Sequence, residues 1–350
     1  MKEKYGKEKM LKKAIIDRIE ENFGFKVKEM RRLAGGINNI CYLIVLSDGR
    51  KLLAKKYYFD DQKRLEREFE AVSYFDKIGL FNVPKPYFED KKLYLGVYSF
   101  ISGKIKGPRE IGKKEILDLV NYAVKLHSIR PTKTARSKVT LTAIRPAFAL
   151  AGHMNNLKFK LERFKKYFSG LSASNSLKKK IEKLGYLGRL DVLIERLLEE
   201  IPEKELNRVL KWSERRINHI DFGFHNVIYK ANGGDEPYFI DYELSGWDDP
   251  ARMIGDFMTH DKNRQIPQEL RELFLKEYKK ARDLGPKERN RLDMAVTLMD
   301  TEWVATYLWS IAPERLAIRK LSIKNFNLES FVAGQLQKVG ARLKELEVQV

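Results

Sequence analysis

Residues 219–229 read HIDFGFHNVIY, and this stretch limits the fold more than any other part of the chain. It sets a carboxylate, Asp221, and an amide, Asn226, five residues apart in a frame of Ile220, Phe222, Phe224, Val227, Ile228 and Tyr229. A plain core strand would not carry them, because a buried carboxylate without partners costs several kcal/mol or shifts its pKa. Either something binds there or something reacts there. A second acidic position, Asp241 in FIDYELSGW, follows an apolar strand end fifteen residues after Asn226.

The surrounding patterns predict an α+β fold. FKVKEMRRLA, CYLIVL and KLLAKKYYF read as strands, the last two joined by an SDG turn. DDQKRLEREFEAVSYFDKIG reads as a helix, with Leu65, Phe69, Val72 and Phe75 at helical spacing. VPKPYF and LYLGVYSFISG follow as strands around an EDKK turn. Residues 25–101 therefore form a mostly antiparallel sheet with one inserted helix. From about 111 helical periods dominate, beginning with EILDLVNYAVKLHSI and continuing near 155–168, 176–201, 203–216, 265–283 and 286–348. Within them, 217–247 carries hairpin-like strands, NVIYK and PYFID, around ANGGDE. A boundary near Ser102–Gly103 divides the chain into 1–102 and 103–350. No repeat, low-complexity segment or Pro/Gly/Ser-rich linker appears.

One cysteine, Cys41, excludes an internal disulfide and fits a reducing, cytoplasmic setting. Its apolar run, CYLIVL, reads as core rather than as a nucleophile's setting. The N-terminus is too charged for a signal peptide and reads as a surface helix. No apolar run approaches the ~18 residues that span a bilayer. The charge balance is unusual, with 68 basic against 48 acidic residues. Between Arg130 and Lys183 fourteen Lys or Arg face only Glu162 and Glu182, a concentration suited to a polyanion.

Asp, Asn five residues on, then Asp after a hairpin is the arrangement that phosphoryl transfer from a nucleotide requires. Asp221 accepts or orients the hydroxyl proton, and Asn226 and Asp241 give hard oxygen ligands to Mg²⁺. Read singly, Asp221 and Asn226 are equally turn residues and Asp241 a helix cap; the joint spacing favours the chemistry. Gly35 and Gly36 in GGIN let backbone amides approach phosphates. On the strand ending LLAKK, alternation places Leu53 and Lys55 on one face and Ala54 and Lys56 on the other. Lys55 is the favoured phosphate grip, with Leu53 lining an adenine pocket. Glu68 is its candidate partner beside the helix's apolar stripe, whereas Glu66 and Glu70 face solvent.

The order GGINN, LLAKK, REFEAV, VPKP, YSFISGK, KLHSI, HIDFGFHN, FIDYELSGWDDPA resembles the aminoglycoside phosphotransferase and choline kinase superfamily. The resemblance implies a bilobal protein-kinase-like fold, ATP and Mg²⁺ as cofactors, Asp221 as the catalytic Asp, and Asn226 and Asp241 as metal ligands. It also implies a hinge at Ser99 to Ile101 that meets adenine through backbone atoms. His219 would pack under the loop, and Pro250 and Asp256 would position the segment after the metal site. Two features depart from the family pattern. Ile220 stands for the usual glycine, and Phe222-Gly223-Phe224-His225 for the common L-H-P-G, so the acceptor side differs from drug kinases. His225 becomes a candidate substrate contact.

Kinases of cationic amino sugars or choline need acidic acceptor pockets, and this chain does the reverse. Its basic segment, 130–183, lies where the superfamily inserts acceptor-binding helices, interleaved with Phe159, Phe164, Tyr167, Phe168 and Tyr186. Phosphate contact plus base stacking fits that mixture, as does a solvated helix face with its aromatics in the core. The expected acceptor is RNA, held by Lys165, Lys166, Lys178, Lys179 and Lys180, and the superfamily's archaeal RNA kinase branch, acting on a tRNA 2′-hydroxyl, is compatible. The alternatives are a small-molecule kinase and a non-catalytic kinase-like module.

Overall fold

The computed structural model describes residues 2–33, 39–59, 61–79, 82–230, 236–322 and 326–349, and for 2–7, 321–322 and 349 the backbone alone. Gly35 and Gly36 therefore lie outside the described residues. The chain divides into two compact units. One comprises Met1–Ile105, Ser137–Thr140 and Asn226–Ser245, and the other Lys106–Arg136, Leu141–His225 and Gly246–Val350. A single cut near Ser102–Gly103 does not describe this division.

The first unit opens with α1 (Lys2–Phe23), then β1 (Val27–Arg32), β2 (Asn39–Leu46), β3 (Lys51–Tyr57), α2 (Arg64–Lys77), β4 (Pro86–Asp90) and β5 (Leu95–Ser99). The five strands form one antiparallel sheet in the order β1-β2-β3-β5-β4, with Cys41 opposite Lys55 and Lys55 opposite Gly96. Period-two alternation sends Leu52 and Ala54 to one face, where Ile44, Val97 and two residues of α1, Ile15 and Ile19, complete a dry core. The charged N-terminal helix, expected on the surface, thus buries one stripe. The opposite face of β3 meets α2, whose Leu65, Val72 and Phe75 are buried.

The hairpin β7 (Val227–Tyr229) and β8 (Pro237–Phe239) belongs to this unit although it lies beyond residue 225. Lys104 and Tyr229 exchange backbone hydrogen bonds at 3.0 and 2.9 Å, and the Phe239 N–H donates to the Asn82 carbonyl at 2.9 Å. Gly103 permits the approach, since a Cβ there would lie 2.3 Å from the Tyr229 oxygen.

The second unit is helical: α3 (Lys113–Ser128), α4 (Lys133–Lys138), α5 (Leu150–Ser169), α6 (Ser176–Lys183), α7 (Tyr186–Glu200), α8 (Glu203–Asn207), α9 (Pro250–Thr259), α10 (Gln268–Ala281), α11 (Pro286–Ser310), α12 (Pro313–Ser322) and α13 (Leu328–Gln349). A short pair, β6 (Arg216–Asn218) and β9 (Gly246–Asp248), is inserted. α11 is the packing centre, against α5, α9 and α13. Three helical expectations need correction. The span 176–201 breaks at Gly185, which is left-handed at φ +62°. The span 286–348 is three helices, because Pro313 opens a new one. Of 203–216 only Glu203–Asn207 is α-helical, with a 3-10 turn at Trp212–Glu214, since the Leu210 N–H is taken by the Phe148 carbonyl at 2.7 Å. No described helix is long and apolar enough to cross a membrane.

Candidate active site

Lys55 sits on the α2 face of β3, only 4% exposed, and is surrounded by carboxylates. Its Nζ donates to Glu68 Oε2 at 2.6 Å and to Asp241 Oδ1 at 2.5 Å, with Glu243 Oε2 at 3.6 Å. Burial opposes the ammonium charge, but Asp241, Glu68 and Glu243 outweigh it and hold Lys55 well above its ordinary value. Burial pushes the Glu68 carboxyl up, against the pull of Lys55, and the Tyr57 hydroxyl donates to it at 2.6 Å. Lys56 turns to the other face and donates to the Tyr57 carbonyl at 2.6 Å. Glu243, to which the sequence reading gave no role, is 4% exposed and takes hydrogen bonds from Arg64 (2.7 Å) and Asn39 (2.8 Å). Its signal was present in the IDYE spacing, two residues past Asp241.

Glu68, Asp241 and Glu243 bring carboxylate oxygens within reach of one cation, and the Lys55 ammonium stands among them. An all-oxygen set suits a hard ion such as Mg²⁺. Asp241 adopts φ +70°, a left-handed conformation that a non-glycine residue occupies at a cost of roughly 1 kcal/mol or more. Asn226 is buried at the start of β7, and its carbonyl accepts the Ile240 N–H at 3.0 Å. The hairpin thereby ties Asn226 to the residue preceding Asp241. Cys41, beside Lys55 on the sheet, has its thiol pushed up to about 11 by burial, which keeps it protonated and inert.

In the helical unit Asp221 is also left-handed, at φ +67°, and its carboxylate meets two imidazoles. His225 Nε2 and His260 Nε2 both lie 3.0 Å from Asp221 Oδ1, and the two rings stack at 4.7 Å. His260, just past α9, is backed by Trp303 at 4.9 Å. Burial pushes the Asp221 carboxyl up, but the hydrogen bonds from His225 and His260 more than offset it, leaving Asp221 well below the usual carboxylate range. The same α9 region braces the loop backbone. Asp256 accepts the Phe222 N–H at 2.9 Å, and the Asn263 amide donates to the Phe222 carbonyl at 2.9 Å. Gly223 is required beside it, as a Cβ would lie 2.2 Å from Asn263 Oδ1. His219 is buried, hydrogen-bonded to Tyr122 at 2.9 Å, and packs under Phe222. His225, weighed as a substrate contact, turns its Nε2 to Asp221.

Two forces compete at His260. The Lys262 N–H donates to its Nδ1 at 3.2 Å, which favours a neutral ring, while Asp221 favours a charged one. A charge-assisted contact is roughly twice as strong as a neutral one, so the carboxylate wins. Burial opposes the charge, yet Asp221 and then Asp256 hold His260 above its ordinary value. A raised folded pKa gives stability that is full below the unfolded value of ~6.5 and is lost as pH rises through the folded one. The melting-temperature gap between wild type and His260→Gln should accordingly be wider at acidic than at alkaline pH. An equal gap across that range would mean that His260 stays neutral.

The five lysines expected to hold the acceptor differ in freedom. Lys165 Nζ is paired with Asp191 at 2.8 Å, and Lys178 donates to the Leu171 carbonyl at 3.1 Å. Lys166, Lys179 and Lys180 are exposed. Of the interleaved aromatics, Phe164 and Tyr186 are buried and Phe159 is held by Trp309, so the segment offers fewer stacking faces than expected. Ser99 ends β5 and its hydroxyl accepts the Lys85 N–H at 2.8 Å; Ile101 follows outside regular structure.

The profile of the phosphotransferase enzyme family matches residues 29–293. The chain belongs to this family. Solved structures extend the likeness over nearly the whole phosphotransferase. A spectinomycin phosphotransferase, in complex with ADP and spectinomycin, covers 96% of the chain and 98% of its own at 12% identity and TM-score 0.65. A choline/ethanolamine kinase family protein from Mesorhizobium loti covers 91% and 87% at 17% identity and TM-score 0.54. LicA, in complex with AMP, covers 95% and 98% at 18% identity and TM-score 0.56. At these identities the likeness is one of fold, and it is the α+β, protein-kinase-like fold expected from the motifs. Among curated proteins no sequence matches.

Proposed function

We propose that the protein is an ATP-dependent kinase that transfers the γ-phosphate to a hydroxyl, using Mg²⁺, with RNA as the acceptor. The observation that carries the kinase reading is the buried Lys55, gripped by Glu68 and Asp241. Lys55 is preset to hold α- and β-phosphate oxygens, and Glu68 fixes its direction. Asn226 and Asp241 supply oxygen donors for Mg²⁺, which when bound neutralises charge on the phosphates. Asp221, kept ionised, takes or orients the acceptor's proton, while His225 and His260 fix its carboxylate. Ser99 to Ile101 are proposed to meet adenine, and a cytoplasmic setting fits the lone cysteine.

The RNA reading rests on the basic segment 130–183 and on the freedom of Lys166, Lys179 and Lys180. The burial of Phe164 and Tyr186 favours the second reading, a small-molecule hydroxyl, because it removes stacking faces. Incubation with γ-labelled ATP, total RNA and a metabolite extract separates the two. On single-stranded RNA, log affinity should fall against log salt with a slope of about −0.7 per phosphate neutralised. Replacing Lys166, Lys179 and Lys180 together by Gln should flatten that slope and leave ATP binding unchanged. Label confined to a metabolite, with no salt slope, rejects RNA and leaves the kinase standing.

A further inference from the structure

The helical unit contains a cavity of about 550 Å³ that none of these roles uses. Its wall comes from α8, β6, the first turn of α9, the end of α10 and the start of α11. Seven of its lining side chains are basic and four acidic. Most of the acids are already engaged in the wall. Asp249 caps α9 through the Ala251 N–H at 2.9 Å and pairs with Arg291 at 2.6 Å. Glu214 pairs with Arg208 and accepts the Lys211 N–H, and Glu288 accepts the Gly285 N–H at 2.9 Å. Arg130, Lys204, Arg282 and Lys287 line the same cavity with no acidic partner among the described residues.

Two buried donors make this more than a basic surface. Arg291 is 7% exposed, and although its Nε and Nη2 both reach Asp249 Oδ2, its Nη1 is buried with no hydrogen-bond partner. Arg282 Nε is likewise buried without a partner, while the rest of its guanidinium lies by the Tyr278 hydroxyl. A buried charged donor left unsatisfied costs more than a neutral one, and here two of them line one cavity. The local field agrees. Arg216 is lowered by burial and then by Arg282 and Arg130, and the neighbouring His127 falls to about 3 through burial and then the Arg282 charge.

We propose that this cavity binds a small multivalent phosphate-bearing anion, through residues that share none with the Lys55 cluster. Guanidinium groups match phosphate oxygens, and Arg282 together with the Arg291 Nη1 that Asp249 leaves free supplies such donors. Several uncompensated cations call for a multivalent anion rather than a lone carboxylate. The volume falls in the range of small-ligand pockets, ≈ 300–1,000 Å³, and exceeds what one orthophosphate fills.

The test is calorimetric titration of the full-length protein with sodium tripolyphosphate in EDTA, so that no metal bridges the anion to the Asp241 cluster. Saturable binding is expected, stronger than for orthophosphate. It should weaken about tenfold or more in Arg282→Gln, since a hydrogen bond to a charged group is lost. Arg130→Gln, at an exposed side chain, should weaken it in the same direction, and this Arg282-dependent binding should persist in Lys55→Met, titrated below its unfolding range. Absence of saturable binding overturns the proposal. So does weakening by Lys55→Met with none by Arg282→Gln or Arg130→Gln. An RNA oligonucleotide bound in an Arg282-dependent way, with tripolyphosphate ignored, would assign the surface to nucleic acid and overturn it as well.

Discussion

Asp221→Asn should lower the turnover number about 10²–10⁴-fold, the usual contribution of a positioned general base. Nucleotide affinity should change far less, while the melting temperature should fall, because the charge that His225 and His260 meet is lost. Asn keeps the size of the side chain and the Oδ1 that both imidazoles reach, and the loop backbone stays held by Asp256 and Asn263. What disappears is the negative charge that His225 and His260 hold in place. A fall in kcat/KM matched by the fall in kcat, with KM for ATP unchanged, identifies an interaction made in the transition state. Turnover near the wild-type value would remove Asp221 from the mechanism.

Lys55→Ala should be the most damaging change in the sheet, and for two separable reasons. It strips the central cation from Glu68, Asp241 and Glu243, and breaking a buried ion pair from one side costs about 3–5 kcal/mol. It also deletes the proposed phosphate grip, so KM for ATP should rise even where the variant is fully folded. Lys56→Ala removes only a partly exposed side chain and a contact to the Tyr57 carbonyl, and both effects should be small. Assays run well below each variant's unfolding range separate the stability loss from the binding loss. If Lys56→Ala raised KM more than Lys55→Ala, the phosphates would lie on the opposite face of β3.

What was legible in the sequence was local in origin. Lys55 follows from strand alternation with Leu53, and Glu68 from its position beside the stripe of Leu65 and Val72, because both periods are set by backbone geometry. Asn226 and Asp241 were singled out through their spacing around a hairpin, which the structure shows as β7 and β8. His260 was not, since it lies 39 residues after Asp221 and reaches it only through the packing of α9 and Trp303. Leu210 shows the same limit from the other side. The apolar spacing of 203–216 suits a helix, yet a backbone bond to Phe148 takes that segment elsewhere. The discontinuity of the sheet unit was equally hidden, for it depends on Lys104 and Tyr229 finding each other across 125 residues.

Helix α1 carries a practical consequence. Its charged sequence invites removal as a dispensable leader when shorter expression variants are designed. Ile15 and Ile19, however, are fully enclosed with Tyr42, Ile44 and Val97, so cutting before Gly24 would bare an apolar side of the sheet to water. Truncating a core isoleucine to alanine already costs about 2–5 kcal/mol, and here two would go at once. The exposed apolar face, with Tyr42, Ile44, Leu52 and Val97 bared together, is also what drives association. Trimmed forms of this phosphotransferase should therefore be read for clumping before they are read for activity.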